Sequence, residues 1–159
     1  MIPTTSIHSL FRALTRRSRR VALHPDAVPE VELRLPRRID DPATAAQLAR
    51  DLLRGRREDI TLALFLDDRH RFVGHAIVAV GRVQAARLSA RPIRFGAQVC
   101  RASGVILVRY RRWGAPSATE SEDRTFRTVA AACSRYGLAA VDHLVVTTTG
   151  FSSAWSGLS

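Results

Sequence analysis

Two arginines at the end of one strand-like segment are the residues of this chain whose chemistry is most informative. The stretch 105–123, VILVRYRRWGAPSATESED, combines an apolar strand, a polar loop and an acidic helix start. That layout is typical of a hydrolytic zinc site, which needs imidazole and carboxylate ligands. Arg109 and Arg111 stand where the imidazoles would be needed, and Asp123 offers a carboxylate. A guanidinium stays protonated and has no free lone pair, so neither arginine can ligate zinc.

The elements that position these side chains are predicted from apolar spacing and capping residues. Asp40 or Asp41 suits the cap of a helix that starts at Pro42 and ends before Gly55. Two nearly unbroken apolar runs, 60–66 and 72–80, predict a hairpin whose strands are covered on both faces. Further helices are predicted over 91–103 and 120–136, and further strands over 105–110 and 140–148. This order predicts an α/β fold, a mixed sheet with flanking helices in a single domain.

Length and composition place limits on the domain organisation and on the location. With 159 residues the chain has room for one domain of ordinary size. Residues 1–38 are basic and interrupted by proline, which predicts a poorly ordered arm before a folded domain over 39–159. No apolar run approaches the roughly 20 residues that span a bilayer, so no membrane partner is expected. Cys100 and Cys133 lie in apolar helical patterns and are predicted to be core thiols in a reducing cytoplasm.

The net charge of +11 favours an anionic partner. All 25 basic residues are arginine, and no acidic residue occurs from 69 to 119. This surface would attract a nucleic acid or an acidic protein, unless it is merely a solvated face. The candidates for such binding are Arg91, Arg94, Arg109, Arg111, Arg112 and Trp113.

Several short motifs occur together in an order that resembles one known family. They are Leu66-Asp67, Arg69-x-Arg71, Val80-Gly81, Arg91, the VILV strand, Pro116–Asp123 and Val141-Asp142-His143. Over roughly residues 40–155 this pattern resembles the RadC-type JAB/MPN (JAMM) domain family. The resemblance implies a JAB/MPN-like α/β fold with layering similar to that of cytidine deaminases. It also implies a zinc site made of His-x-His and of the aspartate in a Ser-x-x-Asp helix start, with an upstream glutamate as general base.

Carried over by position, the resemblance implies that most of this zinc site is lost. Arg109 and Arg111 fall on the two histidines, and Asp123 matches the aspartate if the loop holds one extra residue. Glu120 then falls on the serine, although Ser121 or Thr119 could take that place. The strand that should carry the general base has no carboxylate between Phe72 and Val80; Gly74, His75, Ala76 and Ile77 span the expected position. The zinc of the family is therefore predicted to be absent here.

Two interpretations of the remaining polar residues stay open. Asp123, His75 and His143 could rebuild a metal site, whereas His143 could instead be a structural histidine and His75 could lie at a pocket edge or on the surface. Asp123 could also form an ion pair with one strand arginine, which would leave the other arginine and Arg112 to bind phosphate or carboxylate.

The alternative to these specific roles is that all three arginines lie at a solvated strand end. Trp113 beside them could stack on a base or cover an apolar edge.

Three functions follow as hypotheses. The first is a degenerate RadC-like JAB domain, without zinc or peptidase activity, that serves as a binding or scaffold module. The second is a divergent zinc-dependent hydrolase, and the third is a DNA-associated binding domain of the kind linked to repair. The internally consistent caps and apolar stripes argue for an intact fold rather than for a decayed remnant.

Overall fold

The computed structural model describes residues 38–81 and 88–154. The basic arm expected over 1–38 therefore lies outside the described residues, except for Arg38, which forms an ion pair with Asp40 at 3.0 Å. None of the helices in the described ranges is long and apolar enough to cross a membrane.

A five-stranded mixed sheet with helices on both faces forms the described part of the chain, as predicted. The helices are α1 (Pro42–Leu52), α2 (Arg91–Cys100) and α3 (Glu120–Ser134). The strands are β1 (Ile60–Leu66), β2 (Phe72–Val80), β3 (Gly104–Tyr110), β4 (Ala139–Val146) and β5 (Phe151–Ser153). Their order in the sheet is β2-β1-β3-β4-β5. Only β3 and β4 pair in parallel, and α3 connects them.

Local capping chemistry explains where the helices begin. The Asp41 side chain accepts the backbone N–H of Thr44 at 2.8 Å, and Pro42 occupies the first turn, where its missing N–H costs nothing. Helix α3 begins with a reciprocal capping box between Thr119 and Glu122. This box holds the Glu122 side chain at the start of α3.

The sheet separates two apolar clusters, and each is made by alternate residues of the strands. On one face α1 packs over Leu62, Leu64, Ile106 and Val108. On the other face α2 and α3 pack over Ala63, Phe65, Val105 and Leu107. Each strand residue can therefore be assigned to the α1 face or to the α2/α3 face.

The expectation that both hairpin strands are covered on both faces was wrong for β2. Strand β1 is buried along its whole length, but β2 is an edge strand, most of it only partly buried, and Val80 is 58% exposed. An edge strand has a neighbour on one side only, so an unbroken apolar run does not distinguish it from a central strand. The two cysteines are free thiols, as expected, and Cys133 is fully buried.

Candidate functional site

Arg109 is buried in a cage of oxygen atoms at the end of β3. It lies opposite Thr61 of β1, on the α2/α3 face, and only 2% of its side chain is exposed. Its Nη1 donates to the carbonyl of Gly81 at 2.8 Å and to Oγ1 of Thr61 at 3.3 Å. Its Nη2 donates to Oδ2 of Asp59 at 3.3 Å, and its Nε lies 3.6 Å from Oε1 of Glu122. Burial lowers the pKa of Arg109, while Asp59 and Glu122 oppose that shift.

Gly81 is required for one of these contacts. Its φ of +92° belongs to the left-handed region, which glycine adopts without strain. In this turn its N–H donates to the Asp59 carbonyl at 2.7 Å while its own carbonyl faces Arg109. A side chain at this position would strain the turn that ends β2 and would disturb the cage.

Glu122 lies between the two arginines. Its Oε2 accepts Nη2 of Arg111 at 2.7 Å and the backbone N–H of Thr119 at 2.9 Å. Arg111 also donates to the Ser117 carbonyl at 3.1 Å. Because Glu122 stands in the first turn of α3, the positive end of the helix dipole further favours its charge. Arg109, Glu122 and Arg111 are named the Arg–Glu–Arg cluster below.

The acidic residue of this cluster is not the one that was considered from the sequence. One interpretation left open was an ion pair between Asp123 and one strand arginine, but the ion pairs with Arg109 and Arg111 are made by Glu122. Thr119 and Glu122, which form the capping box of α3, are separated by the same spacing as the Ser-x-x-Asp motif that the resemblance implies. Glu120 is exposed and pairs with Arg124 at 3.0 Å. Ser121 is also exposed, and its carbonyl accepts the hydroxyl of Thr125.

His143 is a buried core residue beside Asp123. Its ring packs on Phe126 with 3.7 Å between the ring centroids, and its Nδ1 lies 3.8 Å from Oδ1 of Asp123. Burial lowers the pKa of His143 to about 4, although Asp123 and Glu122 act in the opposite direction. The ring is therefore neutral near pH 7, which fits the structural role that was one of the two interpretations.

His75 cannot join His143 and Asp123, because it lies on the other side of the sheet. It pairs with Leu64, whose side chain belongs to the α1 face, whereas His143 pairs with Leu107 of the α2/α3 face. His75 is also buried, and that burial lowers its pKa to about 4, so the expected pocket-edge or surface position was wrong. Within the described ranges, no cluster of three His, Cys, Asp or Glu side chains is arranged to hold a metal ion.

A general base is missing from β2 on the face where it would be needed. Gly74 and Ala76 pair with Phe65 and Ala63 of the α2/α3 face, so the positions of β2 that face α2 and α3 hold no carboxylate. Besides Glu122, the carboxylate that approaches Arg109 belongs to Asp59, which precedes β1. Neither Asp59 nor Glu122 was among the site residues predicted from the sequence. The capping box could have indicated Glu122, whereas the contact of Asp59 depends on the pairing of β1 with β3.

The other anion-binding candidates do not converge on the cluster. The Arg112 guanidinium lies 5.1 Å from the ring centroid of Trp113, and Trp113 is 75% exposed, so this indole covers little apolar surface. Arg94 stacks on Tyr136 at 4.0 Å in a separate groove near the start of β3. Arg91 is exposed in the first turn of α2.

The fold is a mixed sheet, and the segment from β3 through the loop to α3 carries the site residues at the end of β3. These two features define a domain of the JAB type. The model of the RadC-like JAB domain family matches residues 39–158. This chain belongs to that family.

Three bacterial relatives, each called a UPF0758 protein, are similar to this chain. The relative from Aquifex aeolicus is 29% identical over 108 residues, which are 68% of this chain and 46% of the relative. The relative from Alcanivorax borkumensis is 29% identical over 115 residues, 72% of this chain and 51% of the relative. The relative from Stenotrophomonas maltophilia is 29% identical over 107 residues, 67% of this chain and 46% of the relative. The chain thus spans about half the length of the relatives that it matches.

Proposed function

We propose that this chain is a RadC-like JAB domain without zinc and without peptidase activity, which serves as a binding or scaffold module. The observation that carries the proposal is the position of Glu122 between Arg109 and Arg111. The Glu122 carboxylate, at the start of α3, is engaged by two guanidinium groups and one backbone N–H.

The donor set of this site does not fit zinc. Zinc requires nitrogen, sulfur or oxygen ligands with a free lone pair, and a guanidinium provides none. Each arginine would also repel a divalent ion about 4 Å away by several kcal/mol, even at an effective dielectric constant of about 20. Two permanent positive charges therefore stand where two neutral ligands are required.

The hydrolase alternative has less support from the described residues. His75, His143 and Asp123 do not lie on one face of the sheet, and the relevant positions of β2 hold no group that could accept a proton from water. We therefore favour the binding or scaffold role. The two free thiols would suit a reducing compartment, and on that basis we propose a cytoplasmic location.

Elemental analysis of the purified full chain tests the proposal directly. We expect no stoichiometric zinc in the wild-type protein after purification without chelators. One tightly held zinc per chain would contradict it. The double variant Arg109→His/Arg111→His restores imidazoles at both strand positions and should acquire about one zinc per chain. The matched control Arg124→His/Arg127→His places two histidines on the exposed side of α3 and should not acquire stoichiometric zinc.

A further inference from the structure

A groove lined by arginines lies beside the α1 face, at the same end of β3 as the Arg–Glu–Arg cluster. It has a volume of about 350 Å³ and runs between the end of α1, the loop that follows it and the residues after β3. Five arginines line it: Arg50, Arg54, Arg56, Arg57 and Arg112. None of the residues that line this groove is acidic. We refer to it as the arginine groove.

Few carboxylates neutralise these arginines. Asp51 pairs with Arg54 at 3.1 Å, and Glu58 lies next to the groove, where its carboxylate accepts the backbone N–H of Arg57 at 3.2 Å. Within residues 38–81 and 88–154, no ion pair involves Arg56, Arg57 or Arg112. Among the described residues, two acids beside five arginines leave an excess of positive charge. The carbonyl end of α1 adds only about half a negative charge nearby.

One arginine of the groove is held in place by the fold. Nε of Arg50 donates to the Thr147 carbonyl at 2.8 Å, and its Nη2 donates to the Gly150 carbonyl at 3.0 Å. These bonds hold the half-buried Arg50 in the wall of the groove, while Arg54, Arg56 and Arg57 are exposed. Several guanidinium groups around one concave surface are suited to phosphate oxygens, which they bind through charge-assisted hydrogen bonds.

An exposed indole lies next to the groove, with its ring centroid 5.1 Å from the guanidinium of Arg112. Trp113 follows Arg112 in the chain, and its 75% exposure leaves most of the ring available for contact. Positive charge that follows a phosphate backbone, combined with an aromatic ring for a base, is the arrangement that binds single-stranded nucleic acids. An acidic peptide would use the arginines but not the indole, and a duplex offers no free base face.

We propose that the arginine groove and Trp113 bind single-stranded nucleic acid, with the phosphodiester backbone along the arginines and one base stacked on the indole. This binding is independent of the metal content of the Arg–Glu–Arg cluster, because the groove lies on the α1 side of the sheet. It therefore goes beyond the proposed function, and either proposal can fail without the other.

Fluorescence anisotropy with the full chain and a labelled oligothymidylate of about 15 nucleotides tests this proposal. We expect binding at about 50 mM salt and a linear fall of log K with log salt concentration. The variant Arg56→Ala/Arg57→Ala should bind about tenfold more weakly and should reduce the slope by about 1.4, the value for two lost phosphate contacts on a single strand. Trp113→Ala should weaken binding about tenfold with little change of the slope.

The matched control is Arg69→Ala/Arg127→Ala, which removes the same charge from the hairpin turn and from α3. It should keep nearly the wild-type affinity and slope. Equal loss in this control, or no binding at about 50 mM salt, would overturn the proposed site. Tighter binding to a duplex of the same length, or displacement of the oligonucleotide by polyglutamate at equal charge concentration, would overturn the choice of ligand. Preference for the single strand together with loss in Trp113→Ala would support it.

Discussion

Nη2 of Arg111 lies 2.7 Å from Oε2 of Glu122, and the same oxygen accepts the backbone N–H of Thr119 at 2.9 Å. One carboxylate oxygen thus joins the loop after β3 to the capped start of α3. Because Arg109 reaches the other oxygen of Glu122, this side chain connects the strand, the loop and the helix.

Removal of the Glu122 charge should destabilise the fold strongly. In Glu122→Gln, the buried Arg109 keeps, among the described residues, only the partly exposed Asp59 as a counter-charge. We expect the free energy of unfolding to fall by about 3 kcal/mol, as for other buried ion pairs that lose one partner. Urea denaturation measures this change. The control Glu120→Gln, which breaks an exposed pair with Arg124, should change stability by less than about 1 kcal/mol; equal losses in the two variants would contradict the role of Glu122.

The contact between Arg109 and Glu122 should appear as a coupling energy. A double-mutant cycle with Arg109→Met and Glu122→Gln should give about 1–3 kcal/mol of interaction, because both side chains are buried. The same cycle with Arg109→Met and Glu120→Gln should be additive within about 0.5 kcal/mol. Additivity in the first cycle would show that the two residues act independently.

Acid should weaken the fold through two histidines. Burial lowers the pKa of His75 and of His143 from 6.5 to about 4. Between these values the unfolded chain binds protons that the folded chain does not, so stability is complete above pH 6.5 and falls as the pH decreases toward 4. Each histidine should lower the free energy of unfolding by about 2 kcal/mol when the pH falls from about 7 to about 5.

Substitution of one histidine separates the two contributions to this pH dependence. His143→Gln should remove about half of the loss, measured by urea denaturation at the two pH values. His70→Asn, in the hairpin turn where φ is +57°, serves as the control and should keep the wild-type dependence. A wild-type free energy of unfolding that does not change over this range would contradict the buried, neutral state of both rings.

Trp113 should be dispensable for the fold. Its exposure of 75% means that Trp113→Ser removes few packing contacts. We expect a change in the free energy of unfolding within about 0.5 kcal/mol, as for other surface positions. Thermal or urea denaturation checks this value, and a loss of 2 kcal/mol or more would assign the indole to the apolar core instead.

Most of the fold could be predicted from the sequence, because it depends on local patterns. The apolar runs gave the hairpin strands Ile60–Leu66 and Phe72–Val80 with their observed bounds. Helix α2 ends earlier than expected because Arg101 adopts a left-handed φ of +55°. Glycine usually occupies that position at the end of a helix, and here no glycine marks the end in the sequence. The edge position of β2 depends on the sheet order, which local apolar content does not encode.

The site could be predicted only in part. Alternation along β3 pointed to Arg109 and Arg111. The acid proposed as their partner was Asp123, whereas the observed partner is Glu122, one residue earlier in the chain. On a helix one residue corresponds to a turn of about 100°, which is enough to separate a buried carboxylate from a half-exposed one. Asp59 is far from Arg109 in the chain, and only the pairing of Thr61 with Arg109 brings it close.

The Arg–Glu–Arg cluster also makes positions 109 and 111 depend on each other. A histidine introduced at 109 alone would still lie beside the charge of Arg111, and one introduced at 111 alone would lie beside the buried Arg109. Each single substitution would give up an ion pair while one cation stays next to the new imidazole, so we expect neither of them alone to create a zinc site.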